Sequence, residues 1–423
     1  MRIAIVTDGI WVYGGAERVL ESMLEIYPEA DVFALVNFLP PQERAWLRDR
    51  TIRTSFIQRL PGAKAYFRKL LGIWPLAIEQ LDLTSYDLVI SSQFSVAHGV
   101  ITGPSQVHVA YTHSPMRYAW DLQAQYLRQA NLHRGSKTYI ARQMLHRLRI
   151  WDAVAAARVD AFSVNSAFVG ERVRKFYRRD SAVIYPPVFL DRFGFCENKS
   201  DYYLYLGRLV AYKRVDLIVE AFAAMPDRKL VVAGAGPLLA QLKARATPNV
   251  QVLGRVDAAQ ADALMGGARA YLHAAVEDFG IAPVEAQAAG TPVVGLGIGG
   301  LRETVRGLLC ARPTGVFFGE QTTEAIREAV EEFEGVRSDI RPHDCRENAG
   351  RFSPQNFRDS FRQFVDGACL MYGSHGALGE RPPAAATDES TDGVSWKGGD
   401  IRPWYAAQVA GAGCHDAEHG MNG

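Results

Sequence analysis

Short apolar runs alternate along the chain with longer segments in which apolar residues recur every three or four positions. The short runs are typical of strands buried on both faces, and the longer segments of helices with one buried face. This alternation predicts parallel sheets whose strands are connected by helices. The predicted strands of the first half are 2–8, 31–36, 87–93, 107–113, 161–166 and 181–187, and those of the second half are 202–208, 229–236, 250–256, 270–276, 292–297 and 315–318.

This pattern predicts an α/β protein with two doubly wound, Rossmann-like domains in tandem, facing each other across a cleft. The boundary falls in the stretch "VIYPPVFLDRFGF", where Pro186 and Pro187 end a strand and an irregular linker follows. We therefore expect an N-terminal domain at 1–190 and a C-terminal domain at 191–373. A final helix at about 354–373 is expected to return to the first domain.

Composition narrows the class of protein. The 423 residues are 48% hydrophobic and 22% charged, as in ordinary soluble globular proteins, and the net charge of +1 gives no general attraction to nucleic acid. Five scattered cysteines predict neither a disulfide framework nor a zinc site. The N-terminus lacks the features of a signal peptide, and no uncharged apolar run reaches the ~20 residues of a spanning helix, so we expect a cytoplasmic protein. Beyond 373 the chain is rich in Gly, Pro, Ala and Ser without periodicity, which predicts a mostly disordered tail at 374–423.

One region departs from the overall charge balance. Residues 51–150 contain twelve Lys and Arg but only four Asp and Glu. Within this region, "FIQRLPGAKAYFRKLLGIWPL" places Arg68 and Lys69 among aromatic residues such as Phe67 and Trp74. A basic, aromatic segment of this kind can lie in a membrane interface. An ordinary core-packed helix with a solvated basic face is the alternative, and the sequence leaves both open.

Ligands of open parallel sheets bind at the carboxyl ends of the strands, so the residues just after each strand are candidate site residues. After the first strand, Gly14 and Gly15 precede a helix that should begin near Ala16. Paired glycines allow a close approach of the backbone to a ligand, and the helix N-terminus offers amides to an anion. A tight strand-to-helix turn would produce the same pattern. After the strand at 107–113, His113 should point into the cleft, although a lone histidine can also be structural.

In the second half, "GRLVAYKRVD" places Arg208 and Lys213 between a strand and a helix N-terminus. Two cations there suit a diphosphate, although exposed surface cations are the simpler interpretation. The next strand is followed by "GAGPLLAQL", which begins at Gly234. A dinucleotide fingerprint would need a third glycine where Leu239 stands and an acid after the next strand, where Arg255 stands. A turn that contacts a nucleotide from the side fits better.

The stretch "AVEDFGIAPVEAQAAGTPVV" at 275–294 contains two carboxylates eight residues apart. Glu277 lies in a loop, whereas Glu285 lies in a short helix with Pro283 in its first turn, a position where the missing amide of proline costs little. The two carboxylates therefore cannot share one helix face. We expect them to bind a polyol at two places, sugar hydroxyls at the loop and ribose hydroxyls at the helix, with free amides between them at Phe279, Gly280 and Ile281.

Taken together, these motifs resemble those of a retaining GT-B glycosyltransferase of the glycosyltransferase 4 family. The resemblance covers roughly residues 1–370, and the segments that carry it are "GGAE" (14–17), "YTHSPMRYAWD" (111–121), "GRLVAYKRVD" (207–216), "GAGP" (234–237), "EDFGIAPVEAQAAGTPVV" (277–294) and "GGLRETV" (299–305). The stretches "THSPMRYAWD" and "TGVFFGEQT" are most similar to those of bacterial surface-polysaccharide mannosyltransferases.

The resemblance implies a role for each candidate residue. Arg208 and Lys213 would bind the donor diphosphate and Glu285 the ribose. Glu277, with the amides of 279–281, would bind the transferred sugar. On the same basis His113 would contact that sugar from the acceptor side, the pair Gly14-Gly15 would approach the phosphates, and Gly234 would contact the nucleotide. Glu277 and His113 are thus the expected catalytic residues, and the sequence leaves open whether Glu277 is a nucleophile or positions the sugar.

The resemblance also implies the substrates. The expected donor is GDP-mannose, and the expected acceptor is a lipid-linked glycan or oligosaccharide in O-antigen or exopolysaccharide synthesis. Peripheral contact with an anionic membrane would follow from a lipid-linked acceptor. No cofactor is expected, and no metal, because the chain contains no Asp-x-Asp motif. The alternatives are a UDP-sugar-dependent transferase of the same family and a sugar-nucleotide epimerase that uses His113 and Glu277 as acid and base.

Overall fold

Each half of the chain forms its own parallel sheet, in a computed structural model that describes residues 1–48, 50–132 and 134–373. The first unit comprises Met1–Asn165, Val169–Ile184 and the described residues from Asp359 onward, and the second comprises Ser166–Phe168 and Tyr185–Arg358. The predicted tail at 374–423 lies outside the described residues.

The sheet of the first unit has seven parallel strands in the order β3-β2-β1-β4-β5-β6-β7. Nearly all residues of the five strands between its edge strands are buried, which explains their continuous apolar runs. The strands are β1 Ile3–Thr7, β2 Asp31–Ala34, β3 Ile52–Thr54, β4 Leu88–Gln93, β5 Val107–Thr112, β6 Ala161–Val164 and β7 Ala182–Val183. The helices before the second sheet are α1 Gly15–Ile26, α2 Ala63–Tyr66, α3 Trp74–Glu79, α4 Gln123–Gln129, α5 Ser136–Ala156 and α6 Ala167–Tyr177.

The sheet of the second unit has six parallel strands in the order β10-β9-β8-β11-β12-β13. Its strands are β8 Tyr203–Leu206, β9 Leu230–Ala233, β10 Val250–Gly254, β11 Ala270–His273, β12 Val293–Leu296 and β13 Gly315–Phe318. Its helices are α7 Val215–Ala223, α8 Leu239–Arg245, α9 Ala258–Gly267, α10 Ile281–Ala288, α11 Leu301–Thr304, α12 Thr323–Val336 and α13 Pro342–Gly350. Helix α14 (Pro354–Tyr372) ends the described chain.

The predicted fold class, two doubly wound α/β domains, is confirmed. All twelve predicted strands are present; β13 has the predicted bounds, and the other eleven are shorter than predicted. The sequence analysis missed β3, because "IRT" is a short, partly exposed edge strand with no apolar run. In each sheet the strand order reverses once, between β1 and β4 in the first and between β8 and β11 in the second. Such reversal points are where open α/β sheets bind ligands.

The basic, aromatic segment of the first unit is folded into the core. Phe67 and Trp74 are only 5% and 6% exposed, and their rings stack with centroids 6.1 Å apart. The indole N–H of Trp74 donates to the Phe67 carbonyl at 3.0 Å. Lys64, Arg68 and Lys69 are exposed. These two rings thus pack in the core, as the alternative interpretation predicted. The prediction that they lie in a membrane interface is wrong.

Candidate functional site

The loops that follow β8 and β9 are in direct backbone contact. The Gly207 N–H donates to the Ala233 carbonyl at 3.0 Å. A Cβ atom on Gly234 would lie 1.8 Å from the Gly207 carbonyl oxygen, and Gly234 has a φ of +144°. The sequence predicts a nucleotide contact for Gly234. The structure gives an additional reason for glycine, because only a residue without a side chain lets the two loops meet.

A cavity of about 480 Å³ lies beside these loops. Three of the predicted donor-binding residues line it, namely Arg208, Gly234 and Glu285. It is also lined by charged residues that the sequence analysis did not single out as binding residues: Arg192, Arg255 and Asp257. The last two directly follow β10, so the rule that selected residues after the other strands would also have selected them. Three guanidinium groups and two carboxylates suit a ligand that combines phosphate charge with hydroxyl groups.

Arg208 is exposed at the edge of this cavity. Its guanidinium donates to the hydroxyl of Tyr212 at 3.0 Å. Tyr212 belongs to the single turn of 3₁₀ helix, Ala211–Lys213, that connects β8 to α7. This turn holds the guanidinium of Arg208 just beyond the carboxyl end of the strand.

Glu285 lies on α10, which begins after Gly280 and has Pro283 in its first turn, as predicted. Gly280 has a φ of +88°, a left-handed conformation that glycine adopts without strain. Glu285 is only 9% exposed, and its Oε1 atom lies 3.4 Å from Nη1 of Arg192. Burial and this cation hold one carboxylate oxygen of Glu285 in a fixed place at the cavity wall.

The side chain of Phe279 belongs to the core of the second unit. Its ring centroid lies 5.4 Å from that of Phe352 and 5.9 Å from that of Tyr185. Any role of the residues from Phe279 to Ile281 in donor binding therefore falls on their backbone amides, which precede and begin α10. The buried ring anchors these amides to the core.

Glu277 and Lys213 form an ion pair between the Glu277 Oε1 and the Lys213 Nζ. The other oxygen, Oε2, lies 3.8 Å from Nε2 of His273, the last residue of β11. The backbone of Glu277 is fixed as well, because its carbonyl accepts the Gly300 N–H at 2.9 Å. Neither Lys213 nor Glu277 lines the cavity described above, so the structure does not bring the two predicted diphosphate cations into that one cavity.

The sequence analysis did not select His273 as a candidate, because in the sequence it lies within a predicted buried strand. It is 2% exposed. Burial, and secondarily the charge of Lys213, lowers the pKa of the His273 imidazole to about 3. The ring is therefore neutral at physiological pH beside the Glu277 carboxylate. Its position at a strand end, four residues before Glu277, is the signal that sequence reasoning could have used.

In the first unit, Gly14 is the N-cap residue of α1. Its N–H donates to the carboxylate of Glu17 at 3.0 Å. Burial raises the pKa of the Glu17 carboxyl to about 7, while this hydrogen bond acts in the opposite direction. The glycine pair thus lies at a helix N-terminus, as predicted, and a buried carboxylate that the sequence analysis overlooked already uses one of its amides.

His113 follows β5, as predicted, and its N–H donates to the Gln93 carbonyl at 2.8 Å. Its Nε2 atom lies 3.0 Å from the hydroxyl of Ser92, and its ring makes an edge contact with Tyr111 at 5.1 Å. Burial lowers the pKa of His113 to about 4, so the ring is neutral at physiological pH. A neutral imidazole held in this way can donate or accept one hydrogen bond, depending on its tautomer.

Within the described ranges, no group of three or more His, Cys, Asp or Glu side chains is arranged to hold a metal ion. Among the same residues, no helix combines the length and the hydropathy needed to cross a bilayer.

Part of the chain is similar in sequence to known sugar-transferring enzymes. Residues 191–352 match the family model of glycosyl transferases group 1. The D-inositol 3-phosphate glycosyltransferase of Mycobacterium marinum is 28% identical over 169 residues, which cover 37% of this chain and 36% of that protein. The D-rhamnosyltransferase WbpZ of Pseudomonas aeruginosa is 30% identical over 165 residues, which cover 35% of this chain and 42% of that protein. The chain thus spans less than half the length of these relatives.

A likeness in structure extends over more of the chain. The crystal structure of Anabaena Alr3699/HepE in complex with UDP covers 87% of this chain and all of its own, with a TM-score of 0.60 and 17% identity. At that identity the likeness establishes the fold. Residues 191–352 are thus similar to the glycosyl transferases group 1 family, and the chain has the two-domain GT-B fold.

Proposed function

We propose that the chain is a glycosyltransferase that moves a hexose from a nucleotide sugar to a glycan acceptor. The observation that carries this proposal is the cavity beside the β8 and β9 loops. It combines the guanidinium groups of Arg208 and Arg255 with the buried carboxylate of Glu285. Cations suit the diphosphate of a nucleotide sugar, and a fixed carboxylate suits the hydroxyls of its ribose. The family match of residues 191–352 supports the same reaction class.

The chemistry follows from the charges. Cleavage of the glycosyl–phosphate bond leaves negative charge on the nucleoside diphosphate and positive charge on the anomeric carbon of the sugar. Arg208 and Lys213 stabilise the first charge where it develops, and Glu277 stabilises the second or positions the sugar that carries it. His113, neutral and held by Ser92, contacts the sugar from the acceptor side.

We further propose that the donor is GDP-mannose. Asp257 lies in the cavity lining and caps α9, where its Oδ1 accepts the Gln260 N–H at 2.8 Å. None of the described residues donates a hydrogen bond to its Oδ2. Guanine presents two adjacent donors, N1–H and the 2-amino group, whereas uracil presents a single N–H between two carbonyls. A free carboxylate oxygen at the rim of the cavity favours guanine. A UDP-sugar donor is the alternative, since the similar fold of HepE binds UDP.

A panel of nucleotides and nucleotide sugars, measured by thermal shift, tests the donor. A ligand at 100 times its dissociation constant adds ~2.7 kcal/mol of stability. We expect GDP and GDP-mannose to raise the melting temperature more than UDP and its sugars. Asp257→Ser provides a matched variant, because serine keeps the helix cap and removes the carboxylate. It should weaken GDP binding and leave UDP binding unchanged. Stabilisation by UDP-sugars alone would instead support the UDP alternative, and no stabilisation by any nucleotide would contradict the proposed function.

The acceptor that we propose is a lipid-linked glycan of surface-polysaccharide synthesis, reached at an anionic membrane. The support is the basic first unit and its long helix α5. Along this helix Ile140, Ile150 and Val154 are more than half exposed, with the exposed Arg147 between them. The only carboxylate of α5, Asp152, is fully buried. An exposed apolar stripe with basic neighbours is the pattern of a helix that lies in a membrane interface.

A further inference from the structure

An unused hydrogen-bonding group close to the candidate catalytic carboxylate belongs to His273. Its Nε2 atom is buried and has no hydrogen-bond partner among the described residues. Buried polar atoms without a partner are rare, and each one calls for a physical explanation. The Glu277 Oε2 atom lies 3.8 Å from it.

The surroundings of Glu277 restrict the movement of its carboxylate relative to His273. Its backbone cannot shift freely, since a Cβ atom on Gly299 would lie only 2.6 Å from the Glu277 carbonyl oxygen and the Gly300 N–H bonds to the same oxygen. Its Oε1 is held by Lys213, and its Oε2 faces His273. The carboxylate therefore has one partner, Lys213, that a phosphate can attract away, and one uncharged neighbour, His273, that a phosphate cannot.

We propose that His273 is a positioning residue, which donates its Nε2–H to the Glu277 Oε2 and keeps the carboxylate aimed at the donor sugar while Lys213 binds the diphosphate. This inference rests on the proposed function. The present separation of 3.8 Å exceeds hydrogen-bond length, so the proposed bond requires the Glu277 side chain to move closer to the ring. Hydrogen bonds of catalytic groups commonly tighten in this way when substrate is bound. Because the ring is neutral, it orients the carboxylate without neutralising it.

Three substitutions separate positioning from mere packing. His273→Gln places an amide N–H at the same reach as Nε2, His273→Asn places one that is too short, and His273→Leu places none. We expect the Asn and Leu variants to lower kcat at least tenfold, with affinity for GDP within twofold of the wild type. The Gln variant should stay within about threefold of the wild-type kcat. Equal kcat values for Gln and Leu, or wild-type kcat in all three, would overturn the proposal.

His108 supplies the matched control. It is also a fully buried strand histidine with one ring nitrogen, Nδ1, that has no partner among the described residues, but its Nε2 atom bonds the Ser91 hydroxyl at 2.9 Å. His108→Leu should lower the melting temperature and leave the kcat of the folded enzyme unchanged. A tenfold loss of kcat in this variant as well would show that any buried histidine has the same effect, and would count against a specific role for His273.

Nitrogen-15 NMR of the histidine-labelled full chain tests the contact independently of catalysis. The spectrum should show His273 as the Nε2–H tautomer at neutral pH, with a signal that shifts in Glu277→Gln. The Nδ1–H tautomer, or a signal that ignores Glu277→Gln, would overturn the proposal. If the wild type binds no nucleotide and transfers no sugar, the proposed function fails, and the NMR result shows separately whether His273 contacts Glu277.

Discussion

Lys213 and Glu277 form an ion pair between the loops that follow β8 and β11, the two strands on either side of the reversal point in the second sheet. The expected partner of Lys213 is the donor diphosphate and that of Glu277 is the donor sugar. The two residues assigned to the two halves of one ligand are therefore bonded to each other. A diphosphate that binds Lys213 competes with Glu277, and by competing it releases the carboxylate for the sugar.

The first prediction follows from this competition. Glu277→Gln removes the charge that holds Lys213, so free GDP should bind about fivefold more tightly, on the order of 1 kcal/mol for a partly exposed pair. Transfer should fall at least ~100-fold, as for the loss of a group that stabilises developing charge. Calorimetric titration with GDP and steady-state kinetics measure the two effects.

Glu285→Gln is the matched control for this prediction. It changes the other carboxylate of the same stretch, which lines the cavity and pairs with Arg192. This variant should bind GDP more weakly, because a contact with the ribose is lost. If both substitutions weaken GDP binding by similar factors, the division of roles between the two carboxylates is wrong.

The second prediction concerns Gly234. An alanine there would place its Cβ 1.8 Å from a backbone oxygen of the neighbouring loop, where no flexible side chain can yield. Gly234→Ala should therefore destabilise the protein by more than ~2 kcal/mol and displace the loop that carries Arg208. Differential scanning calorimetry measures the loss. Gly335→Ala is the control, because a Cβ there meets open space on α12 and should stabilise by ~0.5–1 kcal/mol.

Much of this architecture could be predicted from the sequence, because it depends on local patterns. Strands buried on both faces appear as apolar runs, and Pro283 marks the first turn of its helix. The ion pair between Lys213 and Glu277 could not be predicted, since it joins residues 64 positions apart. Arg255 was considered only because it stands where a dinucleotide fingerprint would need an acid. Its place in the cavity lining became visible only with the fold.

The same limit applies to pKa values. Nothing in "GGAE" indicates that the carboxylate of Glu17 is buried against its own helix N-terminus, because burial depends on the packing of distant segments. In the same way the low pKa of His273 depends on burial by distant segments and secondarily on Lys213, which lies far along the chain. Sequence reasoning selected carboxylates at strand ends, and the structure was needed to show which charged and polar groups lie beside them.

The third prediction uses the titration of Glu17. Its folded-state pKa is raised from the ordinary value of 4.5 to about 7, so the native protein binds more protons than the unfolded chain between these values. The contribution to stability is complete below pH 4.5 and is lost as the pH rises through 7. Glu17→Gln removes this dependence, so its melting temperature should rise relative to the wild type between pH 5 and pH 8. We expect a relative gain of roughly 5–10 °C, since about two pKa units are worth ~2.7 kcal/mol and ~1 kcal/mol shifts a domain of this size by ~2–4 °C.

Glu25→Gln, on the exposed part of the same helix, is the control for Glu17. Its melting temperature should follow that of the wild type across the same pH range. Parallel curves for Glu17→Gln and the wild type would show that the carboxyl of Glu17 titrates normally. The amide oxygen of the glutamine can still accept the Gly14 N–H, so the helix cap is kept in this variant and does not affect the comparison.

The last prediction concerns the membrane, and the fold moves it from the segment around Phe67 and Trp74 to α5. Each Lys or Arg near an anionic leaflet contributes ~1 kcal/mol, and salt screens this attraction within a Debye length. The full chain should therefore sediment with phosphatidylglycerol vesicles at low salt and be released at high salt. Arg142→Glu with Arg147→Glu should weaken binding at least ~10-fold, since two attractions become repulsions.

A matched pair of substitutions distinguishes this surface from overall charge. Arg174→Glu with Lys175→Glu changes the net charge equally, on exposed positions of α6 in the same unit. Because α6 carries no stripe of exposed apolar residues comparable to that of α5, this pair should reduce vesicle binding by no more than about twofold. Equal losses from the two pairs would show that the basic unit binds through its total charge. No binding of the wild type at low salt would contradict a membrane-bound acceptor reached through α5. Transfer to a water-soluble acceptor should be unchanged by either pair, because neither lies among the residues assigned to the donor.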